Sequence, residues 1–213
     1  MSRLAAILAG GVLVAQAAMI GLTRSDELLR PPGVQEENDF LSRCIKCGRC
    51  IQACPYVSLK PAGLATGAAA GTPVIDARSQ ACRLCQDFPC VQACPTKDLR
   101  DVEERTDVNM GLAVIDNKLC IAMLGMRCEV CYRVCPLIDE AIRIDYRPRD
   151  GDKIHSVFAP QINEEACVGC GLCVERCVVS EPEVAIKIVR DRAAAVEETQ
   201  NQQQISSAPR QQH

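Results

Sequence analysis

The 213-residue chain has no tryptophan, and three phenylalanines and three tyrosines make aromatic residues only 3% of it. Aromatics bury the most surface per residue, so their scarcity excludes an ordinary large core. His155 and His213 are the only histidines. A Rieske-type centre needs paired histidines within its motif, so that class is excluded and His155 is expected in a surface loop. The net charge of −3 comes from interspersed charges of both signs, without a basic stripe, which excludes a nucleic-acid partner. No P-loop, dinucleotide fingerprint or nucleophile triad occurs. The chain is expected to perform no bond chemistry of its own.

Cysteine is what the chain has in quantity. There are sixteen, and they fall into four groups with none left over. Cys44, Cys47, Cys50 and Cys54 follow C-x2-C-x2-C-x3-C and precede Pro55. Cys82, Cys85, Cys90 and Cys94 follow C-x2-C-x4-C-x3-C and precede Pro95. Cys120, Cys128, Cys131 and Cys135 follow C-x7-C-x2-C-x3-C and precede Pro136. Cys167, Cys170, Cys173 and Cys177 repeat the first spacing, with Val178 in place of proline. The groups begin at residues 44, 82, 120 and 167, so the period is 38, 38 and then 47 residues, an internal repeat.

Three chemistries use clustered cysteines. A disulfide framework suits small secreted chains, but cysteines two residues apart pair poorly. Structural zinc uses two C-x2-C knuckles a dozen or more residues apart, whereas here the third and fourth thiols follow almost at once. The spacing C-x2-C-x2-C-x3-C-P is that of bacterial [4Fe–4S] ferredoxins, and four copies imply four clusters. Three thiols on a tight loop hold one cubane. The last gap, about one helical turn, points the fourth thiol away from it and towards a neighbouring cluster. Gly48, Gly169 and Gly171 lie between ligands, where positive φ serves tight turns and also lets amides face cluster sulfurs. With buried clusters replacing much of the core, folding should depend on iron and sulfide.

Short apolar runs, Leu112–Ile115, Ala141–Ile144, Ser156–Phe158 and Ala185–Val189, read as strands around the later groups. The fold class expected is α+β: a polyferredoxin of two bacterial-type 2[4Fe–4S] modules, with short strands, short helices and long loops. Lys60–Pro73, rich in glycine and alanine, reads as a surface loop or crossover, with an alanine-rich helix as the alternative. From Asp191 onward the chain is polar and reads as a frayed helix leading into a disordered tail. The resulting division is 1–27, 28–190 for the four-cluster domain, and 191–213.

Residues 1–27 are signal- or anchor-like. Leu4 to Leu22 is uncharged, and nineteen helical residues reach about 28 Å, roughly the hydrocarbon thickness of a bilayer. Ala15-Gln16-Ala17 fits a small-x-small cleavage site. Cubanes are built inside the cell, so export of a folded cluster protein calls for a twin-arginine signal, yet the chain has no Arg-Arg pair. The expectation is that the true start lies upstream.

Several stretches besides the cysteines resemble the NapG/MauM family of ferredoxin-type proteins, associated with periplasmic nitrate reduction. They are Arg30-Pro-Pro-Gly33, Cys54-Pro-Tyr56, Ala70-Gly-Thr-Pro73, Met110-Gly-Leu-Ala-Val114, Arg127-Cys-Glu-Val-Cys-Tyr-Arg133 and Ile138-Asp-Glu-Ala-Ile142. The resemblance spans Leu28 to Val189. It implies an electron-transfer subunit of a quinol dehydrogenase on the periplasmic face of the inner membrane, peripheral to it or anchored in it. Its partners would be a polytopic iron–sulfur membrane protein that oxidises quinol, then a periplasmic cytochrome and a nitrate reductase. A cytoplasmic wiring subunit of a molybdenum-type oxidoreductase, or an accessory protein for metalloenzyme maturation, are the alternatives. Similarity to the four-group subunits of molybdenum oxidoreductases further implies nested ligand sets. These are Cys44, Cys47, Cys50 with Cys177; Cys82, Cys85, Cys90 with Cys135; Cys120, Cys128, Cys131 with Cys94; and Cys167, Cys170, Cys173 with Cys54. Sequential pairing, first group with second and third with fourth, is the alternative.

Overall fold

The computed structural model describes residues 28–149 and 151–207. The signal- or anchor-like segment 1–27 and the last residues of the polar tail, 208–213, lie outside the described residues. The architecture is α+β with short elements, as the spacing predicts. Helices α1 (Glu37–Arg43) and α2 (Arg49–Ala53) lead into strands β1 (Leu59–Pro61) and β2 (Pro73–Ile75), which pair antiparallel. Helix α3 (Pro89–Gln92) follows, then β3 (Leu112–Ile115) and α4 (Val130–Val134). Strands β4 (Ile142–Arg149) and β5 (Asp152–Ile162) form a second hairpin, followed by α5 (Leu172–Arg176), β6 (Ile186–Val189) and α6 (Arg192–Ser207).

The two halves repeat one plan: a helix carrying the third cysteine of a group, an antiparallel hairpin, then another such helix. Each hairpin returns the chain beside its starting point, so α3 packs against α2 and α5 against α4. Strand β3 pairs antiparallel with β6 and closes the second half. All four residues of β3 are buried, which is why Leu112–Ile115 reads as a continuous apolar run rather than an alternating one.

Three expectations change. Lys60–Pro73 is neither an open loop nor one helix: it is the turn of the β1–β2 hairpin, with two 3₁₀ turns divided at Gly67 (φ 59°, ψ −120°). His155 lies on β5 rather than in a loop, exposed and bonded to Asp152. The helix expected from Asp191 onward runs from Arg192 to Ser207 and is docked rather than frayed. Asp191 Oδ1 accepts from the amides of Ala193 and Ala194, capping α6. Ala195 is fully buried against Leu112 and Val114 of β3.

An ion triad closes the other side. Arg30 is 1% exposed and donates to Thr72 Oγ1 at 2.8 Å and to the Pro73 carbonyl at 3.0 Å. It also pairs with Glu37, which accepts from Arg190 just past β6. Arg30 lies over the Phe40 ring, 5.1 Å from its centroid. The entering chain, the first hairpin and the last strand are therefore joined through Arg30 and the buried Glu37 carboxylate. Among the described residues, no helix is long and apolar enough to cross a membrane.

Candidate iron–sulfur sites

Each cysteine group has the same local construction. The third cysteine sits on a short helix: Cys50 on α2, Cys90 on α3, Cys131 on α4 and Cys173 on α5. The fourth follows about one turn later; Cys54, Cys135 and Cys177 stand at helix C-caps in extended or near-extended backbone. Gly48 and Gly171 open α2 and α5 at φ 73° and 84°. A side chain at Gly169 is excluded outright, because its Cβ would lie 2.6 Å from the Gly111 carbonyl oxygen. The spacing thus aims three thiols inward on a loop and releases the fourth sideways, as the sequence logic requires.

The fourth thiol goes to the adjacent group. Cys94 lies within electrostatic reach of Cys44 and Cys50, and Cys54 within reach of Cys82, Cys85 and Cys90. In the second half Cys177 neighbours Cys120 and Cys131, while Cys135 neighbours Cys167, Cys170 and Cys173. Two cavities collect the same thiols: one is lined by Cys54, Cys82, Cys85 and Cys90, the other by Cys135, Cys167, Cys170 and Cys173 together with Cys131. These neighbours are not those of the nested sets. Cys177 is not with Cys44, Cys47 and Cys50; Cys135 is not with Cys82, Cys85 and Cys90. Nor is Cys94 with Cys120, Cys128 and Cys131, or Cys54 with Cys167, Cys170 and Cys173. The hairpins decide the matter, since each brings consecutive groups together before the chain reaches the other half. Regularity of spacing within a group carries no information about its mate.

The electrostatics fit a multi-iron group. Burial pushes the thiols of Cys82, Cys90, Cys131 and Cys170 up to about 12, with neighbouring thiolates adding to the rise. Four thiolates in an apolar cavity are tolerable only with positive charge among them. All sixteen cysteines are free of disulfides. One zinc at about 2.3 Å from four sulfurs would hold them about 3.8 Å apart. Among the described residues, no three Cys, His, Asp or Glu side chains close down on a single ion in that way.

Cys94 behaves differently. Burial acts to raise it, but hydrogen bonds from the Thr96 side chain and from the amides of Leu99, Asp98 and Thr96 outweigh burial and lower it. The Cys94 Sγ to Thr96 Oγ1 distance is 3.4 Å. Cys54 Sγ similarly accepts the Ser58 amide at 3.4 Å. These partners, with Arg78, Glu175 and Arg192 below, have no signature in the cysteine spacing. Only the run after Asp191, an N-cap residue ahead of Arg-Ala-Ala-Ala, signalled that a helix begins there.

Two repeated halves, each bringing eight thiols into two quartets, define a ferredoxin-type iron–sulfur protein, a carrier of electrons rather than an enzyme. The 4Fe-4S dicluster domain family matches the chain twice, over residues 43–97 and 126–180. Each match spans two consecutive cysteine groups, and two dicluster domains with sixteen cysteines make the complement for four [4Fe–4S] clusters. Cys120 falls just ahead of the second match, a consequence of the long first gap in its group. The ferredoxin-type protein NapG of Escherichia coli is 44% identical over 188 residues, covering 85% of this chain and 80% of that protein. NapG of Haemophilus influenzae is 43% identical, covering 88% of this chain and 68% of that protein. The methylamine utilization ferredoxin-type protein MauM of Methylobacillus flagellatus is 41% identical, covering 75% of this chain and 68% of that protein. The chain belongs to the NapG/MauM family of ferredoxin-type proteins. No solved structure is significantly similar to it.

Proposed function

We propose that the chain is the electron-transfer subunit of a quinol-oxidising system in the periplasm, passing electrons towards nitrate reductase. The observation that carries this reading is the similarity to NapG over most of the chain, supported by the thiols gathered around two apolar cavities. The ligand sets we propose are Cys44, Cys47, Cys50 and Cys94; Cys82, Cys85, Cys90 and Cys54; Cys120, Cys128, Cys131 and Cys177; and Cys167, Cys170, Cys173 and Cys135. When bound, each [4Fe–4S] cluster accepts and releases one electron.

The chain's own residues supply position and surroundings. The thiols fix each site on a short helix and its preceding loop. Leu84, Phe88 and Val91 shield the first half, and Ala113, Ile142 and Ile186 the second, from water. Amide and hydroxyl donors at Cys94 and Cys54 stabilise negative charge on sulfur. The donor we assign is a polytopic iron–sulfur membrane protein that oxidises quinol. A periplasmic cytochrome and then the nitrate reductase would receive the electrons. The 41% identity to MauM favours a second reading, in which the same carrier serves methylamine oxidation.

The test is protease access in intact spheroplasts, combined with quinol-dependent nitrate reduction in a deletion strain. Digestion from outside and slowed reduction, with the reductase fully loaded with its own cofactor, are the expected results. Protection until lysis points to a cytoplasmic wiring subunit, and a cofactor-deficient reductase points to a maturation role. Either contradicts the proposal.

A further inference from the structure

The two halves meet at their cysteine loops. The Cys82 amide donates to the Cys170 carbonyl at 3.1 Å, so the loops of the second and fourth groups run side by side. Glu175 braces the junction from α5, accepting from the Ala81 amide at 2.8 Å and from Arg83 Nη2 at 2.7 Å. Arg78 reaches across from the first half, donating to the carbonyls of Val174 at 3.0 Å and Cys177 at 2.9 Å. A Cβ on Gly171 would stand 2.7 Å from the Ala77 Cβ, so the two backbones approach as closely as glycine permits.

The remaining neighbours are set within each half. The cavity of the fourth group is also bordered by Cys131 of the third. Cys50 of the first group and Cys90 of the second share one core, on the paired helices α2 and α3. Among the described residues, no hydrogen bond joins the loop of the first group to that of the third or fourth.

We infer that the four sites stand in the order first, second, fourth, third, and that electrons cross between the halves only between the second site and the fourth. The ends of the path are then the quartet of Cys44, Cys47, Cys50 and Cys94 and the quartet of Cys120, Cys128, Cys131 and Cys177. This rests on the four-site reading above. Each transfer moves one electron: the site that gives is oxidised by one, its neighbour is reduced by one, and no proton or bond moves. A one-electron reductant outside the chain supplies the electron at one end, and a one-electron oxidant removes it at the other. The path differs from the order of the groups in the sequence because the C-terminal loop of the second half, not its first, faces the first half.

The order is tested on the full-length holoprotein by counting iron and then measuring dipolar coupling between reduced sites by pulsed electron paramagnetic resonance. Cys47→Ser, Cys85→Ser, Cys128→Ser and Cys170→Ser each mark one site by altering its signal. The expected result is about sixteen irons per chain, four per cubane, with strong coupling only between first and second, second and fourth, and fourth and third. Wild-type protein provides a check that needs no variant: two signals with one strongly coupled neighbour and two signals with two. Sixteen irons with strong coupling of the first site to the third or fourth, or of the second to the third, overturn the order alone. About eight irons and two signals overturn the four-site reading and the order with it.

Discussion

Arg192 Nη1 donates to the Cys167 carbonyl at 2.9 Å and to the Gly111 carbonyl at the same distance. The other nitrogen of the fork reaches the Glu164 carbonyl. One guanidinium at the start of α6 thereby holds the start of β3 against the loop that opens the fourth cysteine group. Hydrogen bonds from a charged group contribute about 1.5–3 kcal/mol each, and they are not additive. Arg192→Ala is expected to cost about 2–3 kcal/mol in all and to accelerate cluster loss on heating. Following the cluster absorbance through a thermal ramp checks it. An unchanged midpoint would mean that α6 is only draped on the sheet.

Glu37 is 9% exposed between Arg30 and Arg190. Burial acts to raise its pKa, but hydrogen bonds and charge from Arg30, then from Arg190, prevail and hold it below the ordinary value of 4.5. A carboxylate depressed in the folded state contributes stability that is fully present above 4.5 and is lost as pH falls through the depressed value. Glu37→Gln leaves two arginines facing one another without their anion. It is expected to cost about 3–5 kcal/mol at neutral pH. Denaturant titrations of both proteins at several pH values should show this difference shrinking only below 4.5. A difference independent of pH would assign the loss to packing.

Thr96 is placed to tune the potential of the site proposed to contain Cys94. Its hydroxyl lies 3.4 Å from the sulfur, and hydrogen bonds to sulfur favour the more negative, reduced state. Thr96→Val should lower that site's reduction potential by tens of millivolts, where 59 mV is a tenfold change for one electron. The other three signals should keep their potentials in a redox titration.

Iron is expected to hold the fold together as well as to carry electrons. Cys82, Cys90, Cys131 and Cys170 are all buried, and each core cluster that contains them is built partly of ligand side chains. Chelation of iron is expected to abolish the cooperative unfolding transition seen by calorimetry. An apo-protein that still unfolds cooperatively would show that the apolar residues suffice.

What the sequence made legible follows from how local each signal is. The cysteine groups, the positive φ of Gly48 and Gly171, and β3 are fixed within a few residues, and all are where the spacing predicts. The pairing of quartets is not local. It depends on the β1–β2 and β4–β5 hairpins bringing consecutive groups together, and analogy with nested subunits pointed the other way. The run after Asp191 is polar in composition, so its helix read as frayed. Its alanines are what let it dock, as the full burial of Ala195 shows. Arg78 and Glu175 lie 97 residues apart in sequence, and their contact exists only once both halves are folded.

The pairing of adjacent groups is tested most directly by comparing Cys177→Ser with Cys128→Ser and Cys47→Ser in the reduced holoprotein by electron paramagnetic resonance. The account predicts that Cys177→Ser and Cys128→Ser alter the same signal, and that Cys47→Ser alters a different one. If Cys177→Ser and Cys47→Ser instead share a signal, the first and fourth groups are partners, and the two-module account is contradicted.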